Sequence, residues 1–396
     1  MRILERKQKL KILYLVQFFI PAWRFGGVVQ LAYDIAKGMA QRGHEVTVFS
    51  TDAFEPGRRI EEKKNVIDGI EIFYFKNFNN YLASKFRIIQ PKLLKKQLKK
   101  HIQDYDVIHL LDIYSISTYW AYKYSRIWSI PFFITTSGVL SYYSQKSKSL
   151  MKKVFNISLK KILQNAEAVV VQTESEKKDC EKFGLKNLNL IKTGINIKEY
   201  NDLPPRNIFR KKYNLKKNDV SILFLGRINE VKGIKYLIDA INKINSRKIY
   251  LFIVGARNNY LNRIFKSLKM KSQITITGWL SNEEKLEAYM GADIYCLPSI
   301  YDCAPISILE ACACGLPIIT TTSNGLFEIA KEGAGLVVEP RDSEALKNAI
   351  LELIEDRERM IKLGKKARSI VQEEFDWDKK LRELEQLYYL SKGLKK

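Results

Sequence analysis

The sequence predicts an α/β protein built from two Rossmann-like domains, and three observations support this class. Short apolar runs alternate with segments whose apolar residues recur at helical spacing, which is typical of parallel strands joined by helices. The alternation starts again after a segment, 191–207, that is rich in Gly, Asn and Pro. The 396 residues also exceed what one hydrophobic core usually holds, so we expect two domains.

The first half begins with an apolar run over 11–19, which we interpret as a buried strand. A Gly-Gly turn at Gly26 and Gly27 leads into a helix over 28–43, and a second strand follows over 44–50. This β-α-β unit has glycines at its first strand-to-helix turn. Further strands of a parallel sheet are predicted at 70–75, 106–111, 131–136 and 168–173.

The N-terminus also resembles a signal peptide, because basic residues precede the run over 11–19. We favour the strand, since the run continues into a turn and an amphipathic helix. No apolar segment approaches the roughly 20 residues that a membrane span needs. Five cysteines are an odd number in a large chain and do not suggest a disulfide framework. We therefore expect a cytoplasmic protein.

The second half repeats the alternation, with helical segments such as 235–245 between its strands. We predict domains at 1–200 and 201–377, and a final helix within 378–396 that packs back on the first domain. In doubly wound sheets ligands bind at the carboxyl ends of the strands, so two facing domains would hold a ligand in the cleft between them. The predicted strands lie at 221–228, 249–255, 273–280, 292–298, 317–322 and 334–340.

The chain carries a net charge of +24, and most of the excess lies in the first half. Such a field favours anionic partners, such as nucleic acid, a membrane surface or phosphorylated substrates. The stretches 85–102 and 145–163 hold seven and six Lys/Arg and no acid, with apolar residues at helical spacing. They fit an anionic membrane surface, or they are simply solvated helix faces. They lack the interleaved aromatics of stacking platforms, so we do not expect a nucleic-acid partner.

Residues 299–317 contain two candidate sets of chemically active side chains. Cysteines lie at 296, 303, 312 and 314, but the spacing does not match a zinc knuckle, and we expect small buried residues and no metal site. Asp302 and Glu310 are the second set. Pro305 suits a helix start, so Asp302 lies just before a helix whose N–H groups suit a phosphate. Glu310 lies in its second turn, where a carboxylate in an apolar segment needs a partner.

A second constellation lies in LGRINEVKG, where Arg227 and Lys232 follow the end of a strand. Two cations there can clamp a diphosphate, Arg as a planar fork and Lys as a point charge. Ordinary surface basicity is the alternative in a chain this basic. Together with D-x7-E over 302–310 and ILEACACGLPIITT, this pattern resembles glycosyltransferase family four, which has the GT-B fold. The first half resembles the family more weakly, through FGG and RGHEV.

The resemblance implies a role for each matching residue of the donor side. Arg227 and Lys232 would bind the diphosphate of a nucleotide sugar and stabilise the leaving group. Glu310 would bind the ribose, and Asp302 would lie near the transferred sugar, where Glu is commoner in the family. The other residues that the resemblance places near the donor are Gly26, Gly27, Glu328 and, through their backbone amides, Ile306 and Ser307.

A second departure from the family concerns the acceptor side. Many members carry a His after the strand that reads PFFITTSG, and this chain has Ser137 there. His109, on a predicted strand, is either a core residue or reaches the cleft. Asp112, after the same strand, is a candidate for assisting the acceptor. The family transfers sugar with retention and without a metal by same-face attack, which needs no enzymatic nucleophile.

The resulting hypothesis is a retaining, metal-independent hexosyltransferase that needs no cofactor beyond its nucleotide-sugar donor. Its acceptor would be a glycan or a lipid-linked molecule of surface polysaccharide or glycolipid biosynthesis, met at the cytoplasmic membrane face. The alternatives are a nucleotide-sugar epimerase or a phosphorylase of the same fold, and a non-catalytic anion-binding protein.

Overall fold

The computed structural model describes residues 8–55, 58–86, 89–111, 113–141, 150–266 and 273–393. The chain divides into two compact units. Unit 1 comprises Met1–Lys192 and Asp378–Lys396, and unit 2 comprises Thr193–Trp377. The first boundary lies inside the predicted linker 191–207. None of the helices in the described ranges is long and apolar enough to cross a membrane.

Unit 1 is organised around an eight-stranded sheet in the order β10-β9-β8-β7-β1-β2-β6-β5. All neighbouring strands are parallel except β5 and β6 at one edge. The strands are β1 (Lys11–Leu15), β2 (Glu45–Thr51), β5 (Lys64–Ile67), β6 (Ile70–Phe75), β7 (Val107–Leu110), β8 (Phe132–Thr135), β9 (Ala168–Val171) and β10 (Leu188–Leu190), and a separate antiparallel pair is formed by β3 (Ala53–Glu55) and β4 (Arg58–Arg59).

Helices connect most of these strands. In the first of them, the stripe of Val29, Ala32, Ala36 and Met39 recurs every three or four residues and is buried. The α-helices in the described ranges before residue 193 are α1 (Gly27–Gln41), α2 (Asn80–Phe86), α3 (Leu94–His101), α4 (Ile116–Ile127), α5 (Leu150–Gln164) and α6 (Glu174–Lys182).

Unit 2 has a six-stranded, wholly parallel sheet in the order β13-β12-β11-β14-β15-β16. This is the doubly wound order, and its direction reverses between the first and fourth strands of the unit. The predicted α/β class with two Rossmann-like domains is therefore confirmed. The strands are β11 (Val220–Leu225), β12 (Ile249–Val254), β13 (Ile274–Gly278), β14 (Ile294–Leu297), β15 (Ile318–Thr321) and β16 (Gly335–Val338).

The helices of unit 2 cover both faces of its sheet and share one continuous apolar core with it. A short 3₁₀ turn, Glu230–Lys232, precedes the second of these helices. They are α7 (Asn207–Lys212), α8 (Ile234–Ile244), α9 (Asn259–Lys266), α10 (Asn282–Gly291), α11 (Ile306–Ala313), α12 (Phe327–Ile329), α13 (Ser343–Glu355) and α14 (Arg357–Glu374).

The last helix, α15 (Trp377–Ser391), returns to unit 1. Glu385 is buried on it and accepts hydrogen bonds from Arg42 at 2.8 Å and from His44 at 3.0 Å. The backbone N–H of Leu10 donates to the other ring nitrogen of His44, at 3.2 Å. Helix α1 approaches α15 so closely that a Cβ on Gly38 would lie 2.1 Å from a methyl group of Leu381. The RGHEV segment (42–46) therefore holds α15 against unit 1 through Arg42 and His44.

Candidate donor site and its acceptor-side counterpart

The carboxyl end of β11 leads into the segment that positions the two predicted cations. Arg227 is exposed there, two residues after the strand. The Asn229 side chain caps the 3₁₀ turn by accepting from the Lys232 backbone N–H at 3.1 Å. Gly233 follows with a φ of +68°, and a Cβ there would lie 1.8 Å from the Pro298 carbonyl oxygen after β14. The loops after β11 and β14 are therefore in contact at the switch point.

Lys232 and Asp302 form an ion pair through the Lys232 ammonium and the Asp302 Oδ2. Their side chains are 16% and 17% exposed, so the pair is sheltered but open to solvent. Asp302 is held through its backbone, because its N–H donates to the Ser323 carbonyl at 3.2 Å and its carbonyl accepts from the Gly325 N–H at 2.8 Å. The turn after β15 thereby fixes the position of the sugar-side acid that we predicted.

Helix α11 begins next to this pair, with Pro305 as its N-cap. Its first two residues are Ile306 and Ser307, whose N–H groups belong to the unpaired set at any helix N-terminus. The Tyr295 hydroxyl donates to Ser307 Oγ at 2.7 Å, which orients the Ser307 side chain. Burial raises the pKa of Tyr295 well above its usual value, so its hydroxyl stays protonated. The start of α11, four residues after Asp302, therefore offers backbone N–H donors that suit an anion.

Glu310 has two protein partners that the sequence did not reveal. Lys285 Nζ lies 3.3 Å from its Oε1, and the Tyr289 hydroxyl donates to its Oε2 at 2.7 Å. Burial, and next the Glu310 charge, raise the pKa of Tyr289 well above its usual value. Lys285 and Tyr289 are four residues apart and so share a face of α10. That spacing is the signal that could have identified them.

Three of the four cysteines in this region are core thiols. Cys296, Cys312 and Cys314 are buried and unbridged, and burial raises the pKa of Cys314 to about 12. Such thiols are protonated at neutral pH and packed against apolar neighbours. Among the described residues, no group of three or more His, Cys, Asp or Glu side chains is placed to hold a metal ion.

The remaining donor-side predictions are single positions. Glu328 is exposed in α12. In unit 1, Gly26 caps α1 with φ +81° and ψ −148°, a conformation that is essentially restricted to glycine. Gly27 is exposed, and a Cβ there would meet no atom within 4 Å. Gly26 therefore supplies the backbone conformation that the turn requires. The absence of a side chain at Gly27 leaves open space at the start of α1.

Ser137 lies in a tightly built turn after β8. It has a left-handed φ of +47°, and within the described part of the chain its Oγ is buried without a hydrogen-bond partner. The turn is fixed by Glu176, a buried carboxylate that accepts from Thr136 Oγ1 at 2.7 Å and from the Gly138 N–H. Glu176 was not predicted. Its T-x-x-E capping pattern with Thr173 was the available signal, since Thr173 Oγ1 accepts from the Glu176 N–H at 3.2 Å.

His109 is a core residue, which decides between the two alternatives for it. It is fully buried on β7, with Nδ1 2.6 Å from the Tyr388 hydroxyl and Nε2 2.9 Å from Thr135 Oγ1. Burial lowers the pKa of His109 to about 3, so it is neutral. The Tyr388 hydroxyl also lies 3.2 Å from that of Tyr14. Asp112, the candidate two residues after this strand, lies outside the described residues.

Comparison with known proteins identifies both halves of the chain. Residues 25–199 match the family model "Glycosyltransferase Family 4", and residues 205–370 match "Glycosyl transferases group 1". An uncharacterized glycosyltransferase of Methanocaldococcus jannaschii is 24% identical over 397 aligned residues, which cover 95% of this chain and 97% of the relative.

Solved structures share the fold at low sequence identity. Sucrose-phosphate synthase of Thermosynechococcus elongatus superposes with a TM-score of 0.81, with 22% identity over 98% of this chain and 100% of that chain. HepE of Anabaena, solved with UDP and glucose, gives 0.78, with 20% identity over 95% and 98%. The chain therefore belongs to glycosyltransferase family four, has the GT-B fold, and is a glycosyltransferase that uses a nucleotide-sugar donor.

Proposed function

We propose that this enzyme transfers a hexose-type sugar, with retention and without a metal ion, to a glycan or lipid-linked acceptor of surface polysaccharide or glycolipid biosynthesis. The observation that carries the proposal is the set of charged groups at the carboxyl edge of the unit 2 sheet. There the Lys232–Asp302 pair adjoins the start of α11, which bears Glu310 in its second turn. This edge is where doubly wound sheets bind their ligands.

The diphosphate of the donor would be neutralised by Arg227 and Lys232 together with the N–H groups of Ile306 and Ser307. Positive charge and preorganised N–H donors at a helix start suit phosphate, and they gain strength as charge develops on the leaving group. These groups take the role that a divalent cation plays in other phosphate sites, which is why we propose metal independence.

The ribose would bind to Glu310. A carboxylate accepts up to about four hydrogen bonds, so capacity for two hydroxyls remains after Tyr289 and Lys285 have bound. Those two partners fix the carboxylate orientation before the donor arrives, which lowers the entropic cost of binding. We assign Tyr289 and Lys285 as positioning residues.

Asp302 would face the transferred sugar. In the proposed reaction the bond between the anomeric carbon and the diphosphate oxygen breaks, and the acceptor oxygen bonds to the same face of that carbon. The acceptor proton passes to the departing phosphate oxygen, so the protein supplies no nucleophile. When the donor binds, the Lys232 ammonium would interact with both Asp302 and the diphosphate. The ion pair between Lys232 and Asp302 would therefore weaken. Asp112 and Ser137 remain our candidates on the acceptor side.

The experiment is a thermal-shift comparison of UDP, GDP and ADP, with and without EDTA. UDP is the first choice because HepE was solved with it. A ligand that binds only the folded state adds about 2.7 kcal/mol of stability at a hundredfold excess over its Kd. We expect one diphosphate to raise the Tm equally in both buffers, and Glu310→Gln to remove most of that shift. Gln keeps an acceptor for Tyr289, so the variant should fold.

A lack of response to every diphosphate would contradict the donor site. A shift that EDTA abolishes would contradict metal independence alone. The next step is to incubate sugars activated with the nucleoside diphosphate that binds best with membrane extracts. Following sugar incorporation, with NMR for the anomeric configuration, then tests acceptor class and retention.

The acceptor class rests on the basic surface of unit 1. Within the stretch 85–102 that we associated with a membrane, the apolar residues of α3 and Ile102 just after it are core residues: Leu94, Leu98 and Ile102 are at most 4% exposed. What α3 presents to solvent is its lysine face. A cationic surface with no acid along the same helix favours an anionic lipid-linked acceptor at the cytoplasmic membrane face.

A further inference from the structure

Two large apolar side chains of unit 1 stand exposed beside the lysine face of α3. Phe78 is 64% exposed, and Leu93 is 74% exposed. Large apolar groups this exposed are informative when they cluster, because water is the unfavourable environment for them. We call Phe78 and Leu93 the apolar tip.

A short antiparallel contact joins the segments that carry the two residues, with Phe78 opposite Gln90 and Lys76 opposite Lys92. The Phe78 N–H donates to the Gln90 carbonyl at 3.1 Å, and the Lys92 N–H donates to the Lys76 carbonyl at 2.9 Å. The ammonium of Lys92 then lies 5.7 Å from the centre of the Phe78 ring. Leu93 follows Lys92 directly, so Lys92 links the two apolar residues: its backbone adjoins Leu93 and its ammonium lies near the Phe78 ring.

The apolar tip is presented rigidly. Asn77 is 1% exposed and links both segments, since its N–H donates to Asp52 Oδ1 at 2.8 Å and its Oδ1 accepts from the Gln90 N–H at 2.8 Å. A buried polar side chain with these partners fixes the backbone on either side. Phe78 and Leu93 are therefore exposed by the architecture of the patch and not by a loose loop.

Leu93 also adopts a conformation that costs energy. It is the N-cap of α3 with a left-handed φ of +66°, which leucine rarely adopts. Strained backbone of this kind is found preferentially at functional sites. Here its effect is to turn an apolar side chain outward at the start of a basic helix.

The charges around the apolar tip define its partner. Lys95, Lys96 and Lys99 are exposed on one side of α3 at helical spacing, and Lys92 is exposed just before the N-cap Leu93. Apolar groups ringed by lysines match the boundary between lipid head groups and acyl chains in an anionic leaflet. A soluble polyanion would use the lysines but would have no use for Phe78 or Leu93.

We propose that Phe78 and Leu93 insert shallowly into an anionic lipid leaflet while the lysine face of α3 binds its head groups. The proposal rests on the proposed function in that a lipid-linked acceptor would be met at this surface. It specifies which part of unit 1 would contact the membrane. The residues that insert would be Phe78 and Leu93, because the apolar residues of α3 are buried in the core.

The test is flotation of the full chain with vesicles of phosphatidylcholine alone or mixed with phosphatidylglycerol. The wild type should float only with the anionic vesicles. The double variant Phe78→Ser, Leu93→Asn should bind at least about tenfold more weakly, as expected for removing two apolar groups from lipid. Changing Lys95 and Lys96 to Gln should weaken binding about fivefold for each lysine.

Two controls distinguish a loss of membrane binding from misfolding and from a defect in the donor site. Val66→Thr removes another exposed apolar group of unit 1 and should bind vesicles as the wild type does. Asn tolerates a left-handed φ, so Leu93→Asn should keep or raise the Tm. All variants should keep the nucleoside diphosphate shift. Equal vesicle binding by wild type and double variant, or no flotation of the wild type at low salt, would overturn the proposal while leaving the donor site standing.

Discussion

Gly233 shows how one missing side chain holds the donor edge together. Gly233→Ala forces a Cβ to within 1.8 Å of a backbone oxygen at a left-handed φ, and backbone cannot yield as a flexible side chain does. We expect a loss of roughly 2–4 kcal/mol in the free energy of unfolding, measured in urea.

Gly27→Ala is the matched comparison, since its Cβ would meet no atom within 4 Å at the start of α1. Alanine favours the helix, so stability should be unchanged or rise by up to about 1 kcal/mol. A loss of donor turnover in this stable variant would support close approach of the donor at Gly27. If Gly233→Ala were as stable as the wild type, the tight contact between the two loops would be wrong.

Because Asp302 pairs with Lys232, replacing Asp302 should have opposite effects on diphosphate binding and on sugar transfer. Asp302→Asn removes the competing negative charge beside Lys232, so the product diphosphate should bind as tightly as in the wild type or up to about tenfold more tightly. Sugar transfer should fall, because the variant loses the carboxylate that faces the sugar. Isothermal titration and a coupled turnover assay measure the two. Weaker diphosphate binding in Asp302→Asn would mean that Asp302 holds Lys232 in place.

Sequence reasoning at the residue scale named the charged groups of the candidate donor site but missed the side chains that contact and orient them. Asp302 and Glu310 are recognisable because their spacing along one segment is fixed. Lys285, Tyr289 and Glu176 act through contacts with other elements, and such pairings arise only when the chain is folded. A capping pattern and an i,i+4 spacing are weak local signals for them.

Among the elements, β7 carries a buried network that makes stability depend on pH. The folded-state pKa of His109 is about 3, below its ordinary value of 6.5, so the unfolded chain binds a proton that the folded chain does not. This stability is fully present above pH 6.5 and declines as the pH falls toward 3. The slope approaches about 1.4 kcal/mol per pH unit.

His109→Gln keeps groups that can bond Thr135 or Tyr388 but does not titrate in this range. Urea unfolding between pH 5 and 8 should show the wild type losing stability relative to this variant as the pH falls below 6.5. Parallel curves for the two proteins would show that His109 is already charged, or equally solvated, in both states.

The long buried strands were predictable because a short, continuous apolar run between turn residues is typical of a strand buried on both faces. The short edge strands β3, β4, β5 and β10 were missed, since two to four residues carry no usable periodicity. The lysines of α3 are exposed, as both interpretations of this stretch require, whereas its apolar residues Leu94 and Leu98 lie in the core of unit 1. Periodicity indicates that a face is apolar and does not say what covers it.

At the scale of the whole molecule, unit 1 is built from two separate parts of the chain. Ending the chain after Trp377 would remove Glu385 and Tyr388, leaving Arg42, His44 and His109 without their partners there. Each buried group left unsatisfied costs about 1–3 kcal/mol, so we expect unit 1 to unfold or aggregate. Calorimetry should show a lost or strongly lowered transition for unit 1 and a retained transition for unit 2.

A truncated chain with both transitions intact would show that α15 is dispensable for unit 1. The sequence predicted an amphipathic last helix that packs back on the first domain. Its fastening by the RGHEV segment could not be predicted, because the two segments are more than 300 residues apart in the sequence.

The discontinuity of unit 1 also has a consequence for synthesis on the ribosome. Domains usually fold in the order in which they are made. Here the continuous second unit is available to fold first, whereas the first unit waits until translation has passed residue 391. During that interval the surfaces around Gly38, Tyr14 and His109 are uncovered. We therefore expect the nascent first half to be the part of this enzyme that benefits most from chaperones.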